Sequence, residues 1–388
     1  MENKKQIIEI ADIFRDKKHD FLTENTLCAV QQKAMEDIIA CRTSELGGHT
    51  LSCNHCGHKV QSYNSCRNRN CPKCQYIKRM QWVDKLAADL PPVKHFHIVF
   101  TIPACLHKLF YINQRIAYSL LFKAAGQTLM QCAKNTHYLG AEAGAVALLH
   151  TWGQTMTYHP HIHTIVPAGG LSDDGMEWVP SAKKFFVPVK VLSALFRGIL
   201  CRLLQESVCR EEIKLPDDTP DFQTIKAKCY AKKWVVYAER PFASPDNLIR
   251  YLGNYINRVA ISNHRMVGYK DDKVTFSYSD NKAGGARKTI TLEAIEFIRR
   301  FMQHVLPCGF CKIRYFGFMA ICNRKTKLNL CYSLLLTPTY FSRLTGLLTM
   351  EVLQIVSCKD PIICAKCKKG KLMVSPACNA LHIEPGSF

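Results

Sequence analysis

The chain has 388 residues, which is enough for two or three domains with their own cores. A content of 47% hydrophobic and 21% charged residues is typical of a globular protein, and no apolar run is long enough to predict a membrane span. The net charge of +21 favours a polyanionic partner, nucleic acid before an anionic membrane, over a merely solvated basic surface. Because the first residues carry no secretory signal, we expect a cytoplasmic protein whose cysteines bind metal rather than form disulfides.

The first ninety residues are expected to form a helical domain that contains a cysteine-rich segment. Apolar residues recur at spacings of three and four between residues 7 and 38, which predicts helices. The composition then shifts to Cys, His, Asn and Arg over 47–79, and a further helix is predicted over 78–89. Leu90-Pro91-Pro92 marks the first domain boundary.

Strands and helices without strict alternation follow this boundary. Strands are predicted over 93–101, 145–151, 159–167, 234–238, 273–278, 287–292 and 310–316. Helices are predicted over 105–135, 187–205 and 292–303, and another begins at Ser244. This order is typical of an α+β domain with a central antiparallel sheet flanked by helices. The expected division is a domain over 1–90, a second domain over 91–335, and a cysteine-containing tail over 336–388.

Two Cys-x-x-Cys pairs predict a structural zinc site in the first domain. Fourteen residues separate the pair Cys53 and Cys56 from the pair Cys71 and Cys74, which is close to the spacing of zinc ribbons. Each pair places two thiolates on one side of a tight turn, so two pairs complete a closed tetrahedral site. Three neighbouring residues remain alternative ligands: His55, His58 and Cys66.

Basic side chains surround these cysteines and predict a DNA-binding surface. The cations that we assign to DNA contacts in this segment are Arg67, Arg69, Lys73 and Arg79. The high charge density coincides with the expected zinc site, which favours DNA binding over a solvated face.

The segment 159–163, which contains three alternating histidines, predicts a second metal site. On a strand these histidines point to one face, with adjacent ones about 7 Å apart and the outer two about 13 Å apart. One adjacent pair can therefore share a cation. We choose His161 and His163 because Ile162 can then pack into the core beneath the sheet. His159 is left as a contact near the site.

Phosphate chemistry suits such a pair, because two imidazoles leave a divalent cation with open positions. The competing pair His95 and His97 stands at the start of an apolar strand, which favours a core role. A third ligand is expected, and the candidates are Gln154, Asn263 and His264.

Tyr251 and Tyr255 lie four residues apart in a predicted helix, so their hydroxyls share one face. Tyrosines with this spacing are more often core residues. Arg250 and Arg258 favour another interpretation, because they can hold phosphates near the hydroxyls. A tyrosine can act as a nucleophile that forms a covalent phosphoester.

In their order along the chain, these motifs resemble transposases of the insertion-sequence-91 group, which are of the histidine–hydrophobic–histidine (HUH) type. The resemblance extends over about residues 20–335. The segments that carry it are 46–49, 63–75, 99–103, 159–163, 251–255, 258–263, 304–307 and 313–318. Of these, the asparagine-, arginine- and cysteine-rich segment 63–75 is specific.

The resemblance implies an N-terminal zinc-binding domain followed by an HUH nuclease domain. The implied activity is cleavage and joining of single-stranded DNA through a 5′-phosphotyrosine. By position, His161 and His163 correspond to the ligands of a catalytic Mg²⁺ or Mn²⁺, and Tyr251 and Tyr255 to the nucleophiles. Which tyrosine acts first stays open.

The C-terminal cysteines depart from the family pattern. Cys364 and Cys367 resemble half of a second zinc knuckle, which Cys358 and Cys378 could complete. The other cysteines outside the pattern are Cys308, Cys311, Cys322 and Cys331.

Two alternative functions stay open. A rolling-circle replication initiator or relaxase would use the same chemistry on a different DNA, and only the N-terminal zinc cluster favours a transposase over it. A non-catalytic zinc-containing DNA-binding protein would instead keep the histidines and tyrosines as core residues.

Overall fold

A computed structural model describes residues 8–181, 186–238, 260–280, 283–337 and 341–375, and these ranges contain ten α-helices and thirteen strands. The helices are α1 (Ile10–Glu24), α2 (Ala29–Ala40), α3 (Gln75–Asp89), α4 (His107–Ile112), α5 (Gln114–Lys134), α6 (Val189–Cys209), α7 (Phe222–Tyr230), α8 (Ala294–Met302), α9 (Asn329–Leu334) and α10 (Thr349–Ser357). The strands are β1 (Gly48–Cys53), β2 (Lys59–Tyr63), β3 (His95–Thr101), β4 (Gly144–Trp152), β5 (Tyr158–Pro167), β6 (Gly169–Leu171), β7 (Trp178–Pro180), β8 (Val236–Ala238), β9 (Met266–Lys270), β10 (Lys273–Asp280), β11 (Ala286–Glu293), β12 (Ile313–Gly317) and β13 (Leu372–Val374). None of these helices is long and apolar enough to cross a lipid bilayer.

A five-stranded sheet in the order β12-β4-β5-β3-β8 lies at the centre of the structure, and all its neighbouring strands are antiparallel. One face packs against α5 and α6 in the largest core, where Phe100 and Phe196 lie with ring centroids 4.8 Å apart. Ile162 is fully buried in this core, as its place between the two histidines predicts. The predicted α+β class with a central antiparallel sheet is confirmed.

The N-terminal helices pack against the C-terminal part of the chain rather than against the central sheet. Phe14 of α1 meets Phe301 of α8 edge-to-face, with ring centroids 5.1 Å apart. Phe297 of α8 packs on Phe276 of β10, in the three-stranded antiparallel sheet β11-β10-β9. These contacts form a second core that joins α1, α2 and α8.

A small sheet joins the two ends of the described chain. β1 pairs with β2 in a hairpin, and β13 pairs with the other edge of β1. The segment 336–388, which we expected to be a cysteine-containing tail, therefore contributes β13 to the sheet that contains β1 and β2. The predicted division at residues 90 and 335 stays a prediction.

The predicted helix over 105–135 is divided into α4 and α5 at Asn113, whose backbone leaves the helical conformation. The side chain of Asn113 accepts a hydrogen bond from the Lys214 amide at 2.9 Å and donates one to the Lys214 carbonyl at 2.8 Å. A residue 101 positions away thus determines the break, which helical periodicity cannot reveal.

Gly317 at the end of β12 gives a test of this packing. Its φ is +59°, and a Cβ added there would lie 1.7 Å from the Ala143 carbonyl oxygen. We expect Gly317→Ala to lower the free energy of unfolding by about 2–4 kcal/mol, through backbone strain and overpacking. The measurement is urea denaturation followed by circular dichroism.

Gly309→Ala is the matched control, because Gly309 also has a positive φ of +67° but no atom within 4 Å of an added Cβ. We expect it to cost about 1 kcal/mol. Equal losses in the two variants would contradict the close approach at Gly317.

Candidate functional site

Three histidines converge on the face of the central sheet opposite its largest core. His161 and His163 lie on β5, and His150 lies on β4 directly opposite His161 in the antiparallel register. One ring nitrogen of each histidine lies within 4.8 Å of those of the other two. His150 and His163 are buried, whereas His161 is partly exposed. Three nitrogen donors at this separation can bind one divalent cation and leave part of its coordination shell open.

Hydrogen bonds orient two of these rings. Nδ1 of His161 donates to the carbonyl oxygen of His159 at 2.7 Å, which leaves Nε2 with a lone pair for a metal. Nδ1 of His163 lies 2.9 Å from Nε2 of His97, and the two rings stack in parallel. Coordination through Nε2 of His163 requires that its Nδ1 donate to His97. His97, which we predicted as a core residue, is buried. Because its ring contacts that of His163, it also supports the site.

Desolvation favours the neutral form of the two imidazoles on β5. It lowers the pKa of His161 to about 4, against the opposing effect of the His159 carbonyl. Burial, together with the neighbouring imidazoles, lowers the pKa of His163 well below its ordinary value. Neutral imidazole is the form that binds metal, so no proton has to be displaced from these ring nitrogens near neutral pH.

His150 completes the group of three histidines, whereas our candidates for the third ligand were Gln154, Asn263 and His264. Of these, His264 does not belong to the group. The Asn263 side chain instead accepts a hydrogen bond from the Ile10 amide at 3.2 Å. The sequence around His150 is an apolar strand with a single histidine, so no local motif points to it. His150 can be identified only from the register of β4 and β5, which places it across from His161.

His159 lies outside the group, although its ring centroid is 5.3 Å from that of His161. It packs edge-to-face against His107, with ring centroids 5.8 Å apart. The remaining predicted catalytic and DNA-binding residues of this region, Arg250, Tyr251, Tyr255 and Arg258, lie outside the described residues.

The four cysteines that we assigned to one zinc site belong to two different clusters. Cys71 and Cys74 lie with Cys41 and Cys66, whereas Cys53 and Cys56 lie with Cys364 and Cys367. The reason is that β2 and the loop after it separate the two Cys-x-x-Cys turns, and each turn finds partners that are distant in sequence. The expected ligand set is corrected accordingly.

The first cluster has the dimensions of a zinc site. Sγ of Cys74 lies 3.4 Å from Sγ of Cys41 and 3.6 Å from Sγ of Cys66. A tetrahedron with Zn–S bonds of about 2.3 Å has edges of about 3.8 Å, whereas a disulfide bond measures about 2.05 Å. The cluster stands where α2 ends and α3 begins, so a bound ion would fix the loop between Cys66 and Cys74.

The predicted DNA-binding residues of this loop have different environments. Arg67 is exposed. Lys73 forms an ion pair with Glu9 at 2.7 Å, which offsets its charge. Arg79 lies over the ring of Tyr76 at 5.3 Å. Arg67 and Arg79 thus fit a surface contact with phosphate better than Lys73 does.

Arg69 reaches a pocket beside the histidine group. Trp152 lines this pocket and stacks on His150, with ring centroids 4.8 Å apart. Lys312 lines it as well, and burial lowers the pKa of Lys312 to about 8, so the amine is still mainly charged at neutral pH. Arg69 also donates to the Phe310 carbonyl at 2.7 Å, which fixes its position. Two cations and an aromatic ring therefore line a pocket that adjoins the candidate metal ligands through Trp152.

Known proteins have sequences that are similar to that of this chain. The family described as "Transposase zinc-binding domain" matches residues 13–102, and the family described as "Putative transposase" matches residues 144–327. "Putative transposase y4qJ" of Sinorhizobium fredii (strain NBRC 101917 / NGR234) is 41% identical over 334 residues, which cover 84% of each chain. The chain belongs to the insertion-sequence-91 family of transposases.

A second relative of this transposase is more distant. The "Transposase for insertion sequence element IS801" of Pseudomonas savastanoi pv. phaseolicola is 28% identical over 315 residues, which cover 77% of this chain and 72% of that one. A solved structure, "Conjugative Relaxase Trwc In Complex With Orit DNA. Metal-Bound Structure", is similar over 42% of this chain and 71% of that chain, at 14% identity and a TM-score of 0.23. A likeness this weak gives no support for a shared fold or reaction.

The family assignment also accounts for the cysteines. All four members of the first cluster lie within residues 13–102, so this transposase has an N-terminal zinc-binding domain as predicted, with Cys41 and Cys66 as ligand candidates in place of Cys53 and Cys56. Cys41 was missed because it stands alone at the end of a helix, thirty residues from the nearest cysteine pair that it joins.

Removal of one imidazole tests the histidine group. We expect His150→Ala to weaken the binding of Mn²⁺ by about tenfold or more, because two imidazoles hold the cation less tightly than three. The measurement is isothermal titration calorimetry on the full-length transposase. His19→Ala, on the exposed side of α1, is the control and should leave the affinity unchanged. An equal affinity in the His150 variant and the wild type would remove His150 from the site.

Proposed function

We propose that this transposase cuts and rejoins single-stranded DNA through a 5′-phosphotyrosine, with a divalent cation held by His150, His161 and His163. The observation that supports this most is the convergence of three imidazoles on one sheet face in a member of a transposase family. Such a donor set serves metal-assisted phosphoryl transfer, and DNA binding alone would not require it.

The proposed cation is Mg²⁺ or Mn²⁺, and when bound it would polarise a phosphoryl oxygen and orient the leaving group. Of the two, Mn²⁺ suits three imidazoles better, because Mg²⁺ prefers oxygen ligands. The chain contributes the orientation of the ligands: the His159 carbonyl holds the ring of His161, and His97 holds that of His163.

Tyr251 and Tyr255 are the proposed nucleophiles. The phenolic oxygen attacks the phosphorus, the bond from phosphorus to the 3′ oxygen breaks, and the phosphate stays on the tyrosine with the 5′ end of the DNA. The phenol loses a proton and the departing 3′ oxygen gains one. A 3′-hydroxyl can later attack the phosphotyrosine and rejoin the strand. Because the tyrosines lie four residues apart, one can hold the first end while the other cleaves again.

Two cations near the histidines fit an anionic substrate. Arg69 and Lys312 line the same pocket, and their charges favour the approach of DNA phosphates to the histidine group. Arg67, Arg79, Arg250 and Arg258 are proposed to extend the contact with the DNA backbone. A rolling-circle initiator or relaxase would share this chemistry, and the family membership favours transposition over both. A non-catalytic DNA-binding protein gives no reason for the shared nitrogen group.

Substitution of the tyrosines tests the nucleophiles. Wild type, Tyr251→Phe, Tyr255→Phe and the double variant are incubated with labelled single-stranded DNA from both ends of the element and Mn²⁺. Denaturing electrophoresis then reports covalent protein–DNA adducts. We expect a wild-type adduct that is reduced in the single variants and absent in the double variant, while DNA affinity changes less than about twofold, since phenylalanine keeps the ring and removes only the nucleophile.

Tyr230→Phe is the control, because Tyr230 is an exposed tyrosine at the end of α7. Its adduct should match that of the wild type. An undiminished adduct in the Tyr251/Tyr255 double variant would show that another residue is the nucleophile.

A further inference from the structure

Two cysteine turns that are far apart in sequence meet beside the sheet of β1, β2 and β13. Cys53 is the last residue of β1 and Cys56 follows it, whereas Cys364 and Cys367 precede β13. Sγ of Cys53 lies 3.7 Å from Sγ of Cys367, and Sγ of Cys56 lies 3.8 Å from Sγ of Cys364, across 314 and 308 residues of sequence. These separations equal the edge of about 3.8 Å expected for a zinc–thiolate tetrahedron.

The two turns share two backbone features. The residue after the second cysteine has a positive φ in each, at +67° for Gly57 and +57° for Lys368. Its amide donates to the carbonyl of the first cysteine in each, at 3.0 Å in the first turn and 2.8 Å in the second. The left-handed conformation is unfavourable for lysine, so the surrounding structure must impose it. Two matched turns that present four thiols to one point are the arrangement of a zinc ribbon.

Neighbouring backbone groups hold the second turn against the first. The Asn54 amide donates to the Lys371 carbonyl at 3.1 Å, and the Lys371 amide donates to Oδ1 of Asn54 at 2.8 Å. Gly370 packs so closely that a Cβ there would lie 2.5 Å from Sγ of Cys53. The amide of His55 donates to Sγ of Cys53 and that of Gly370 to Sγ of Cys367, at 3.4 and 3.3 Å. Such N–H groups stabilise thiolates, which are the form that binds zinc.

We propose that Cys53, Cys56, Cys364 and Cys367 bind a second structural Zn²⁺, which ties the C-terminal segment to the N-terminal domain. The two family matches end at residues 102 and 327, so Cys364 and Cys367 lie outside both. Four thiolates close the coordination sphere, which leaves no position for a substrate. The C-terminal segment then completes the fold around β1 and β2. Cys358 does not belong to the cluster, and Cys378 lies outside the described residues.

Metal content of the full-length transposase tests this site. The protein is purified without chelator, and zinc and iron per chain are measured by mass spectrometry. We expect Cys364→Ser/Cys367→Ser to lose one zinc equivalent and to keep the zinc of the Cys41 cluster. Cys308→Ser/Cys311→Ser, a change in an exposed Cys-x-x-Cys pair outside both clusters, should lose none. If the wild type contained an equivalent of iron and the Cys364/Cys367 variant lost that iron instead of zinc, the choice of metal would be overturned.

Cobalt substitution separates this site from the histidine group. Co²⁺ bound by thiolates gives sulfur-to-metal charge-transfer absorption, which imidazole ligands do not give. We expect that absorption to fall by half in the Cys364/Cys367 double variant. Unchanged zinc content and unchanged absorption would overturn the proposal.

Gly370→Val provides a second variant in case the cysteine changes disturb the whole N-terminal domain. It retains all four thiols, but its side chain would occupy the space beside Sγ of Cys53. If the cysteine variant lost both zinc equivalents, the glycine variant would decide. Loss of one equivalent would support the site, and retention of both would contradict it.

Discussion

The antiparallel register of β4 and β5 determines which side chains can share a cation in this transposase. It sets His150 opposite His161 and Leu149 opposite Ile162, so the histidines share one face while the apolar residues enter the core on the other. A slip of one residue would reverse the faces and bury imidazoles in place of isoleucine. The packing of α5 and α6 on the apolar face therefore also fixes the site.

The first cysteine cluster extends this dependence to the proposed DNA-binding region. An ion bound by the first cluster would fix the loop between Cys66 and Cys74. This loop carries Arg69 to the pocket that Lys312 and Trp152 also line. A structural zinc ion in this cluster would thus help to place the guanidinium group of Arg69 near the histidines of the central sheet. Loss of that ion is expected to affect DNA placement as well as stability, because the same loop serves both.

Much of the fold follows from local sequence, and the ligand sets do not. Alternation and apolar runs predicted β3, β4 and β5 to within two residues, because strand pattern is a local property. His161 and His163 were identifiable for the same reason. His150 and Cys41 carry no local signal, since each joins its partners only through tertiary structure. The pair Cys364 and Cys367 carries half of a zinc-site signal, and its partners Cys53 and Cys56 are likewise distant in sequence. The spacing of Cys53, Cys56, Cys71 and Cys74 is close to that of a single zinc site, and spacing alone cannot show that the folded chain divides them between two clusters. The helix break at Asn113 likewise depends on a tertiary contact, the hydrogen bond from the Lys214 amide.

The central claim is that a tyrosine of the segment 251–255 attacks DNA with the help of the histidine-bound cation. The most direct measurement is mass spectrometry of the covalent adduct after digestion with nuclease and protease. The account predicts a nucleotide phosphate on Tyr251 or Tyr255, formed only when Mn²⁺ or Mg²⁺ is present and His161 and His163 are intact. A nucleotide on any other residue, or an adduct that forms equally well in the His161→Ala/His163→Ala variant, would contradict it.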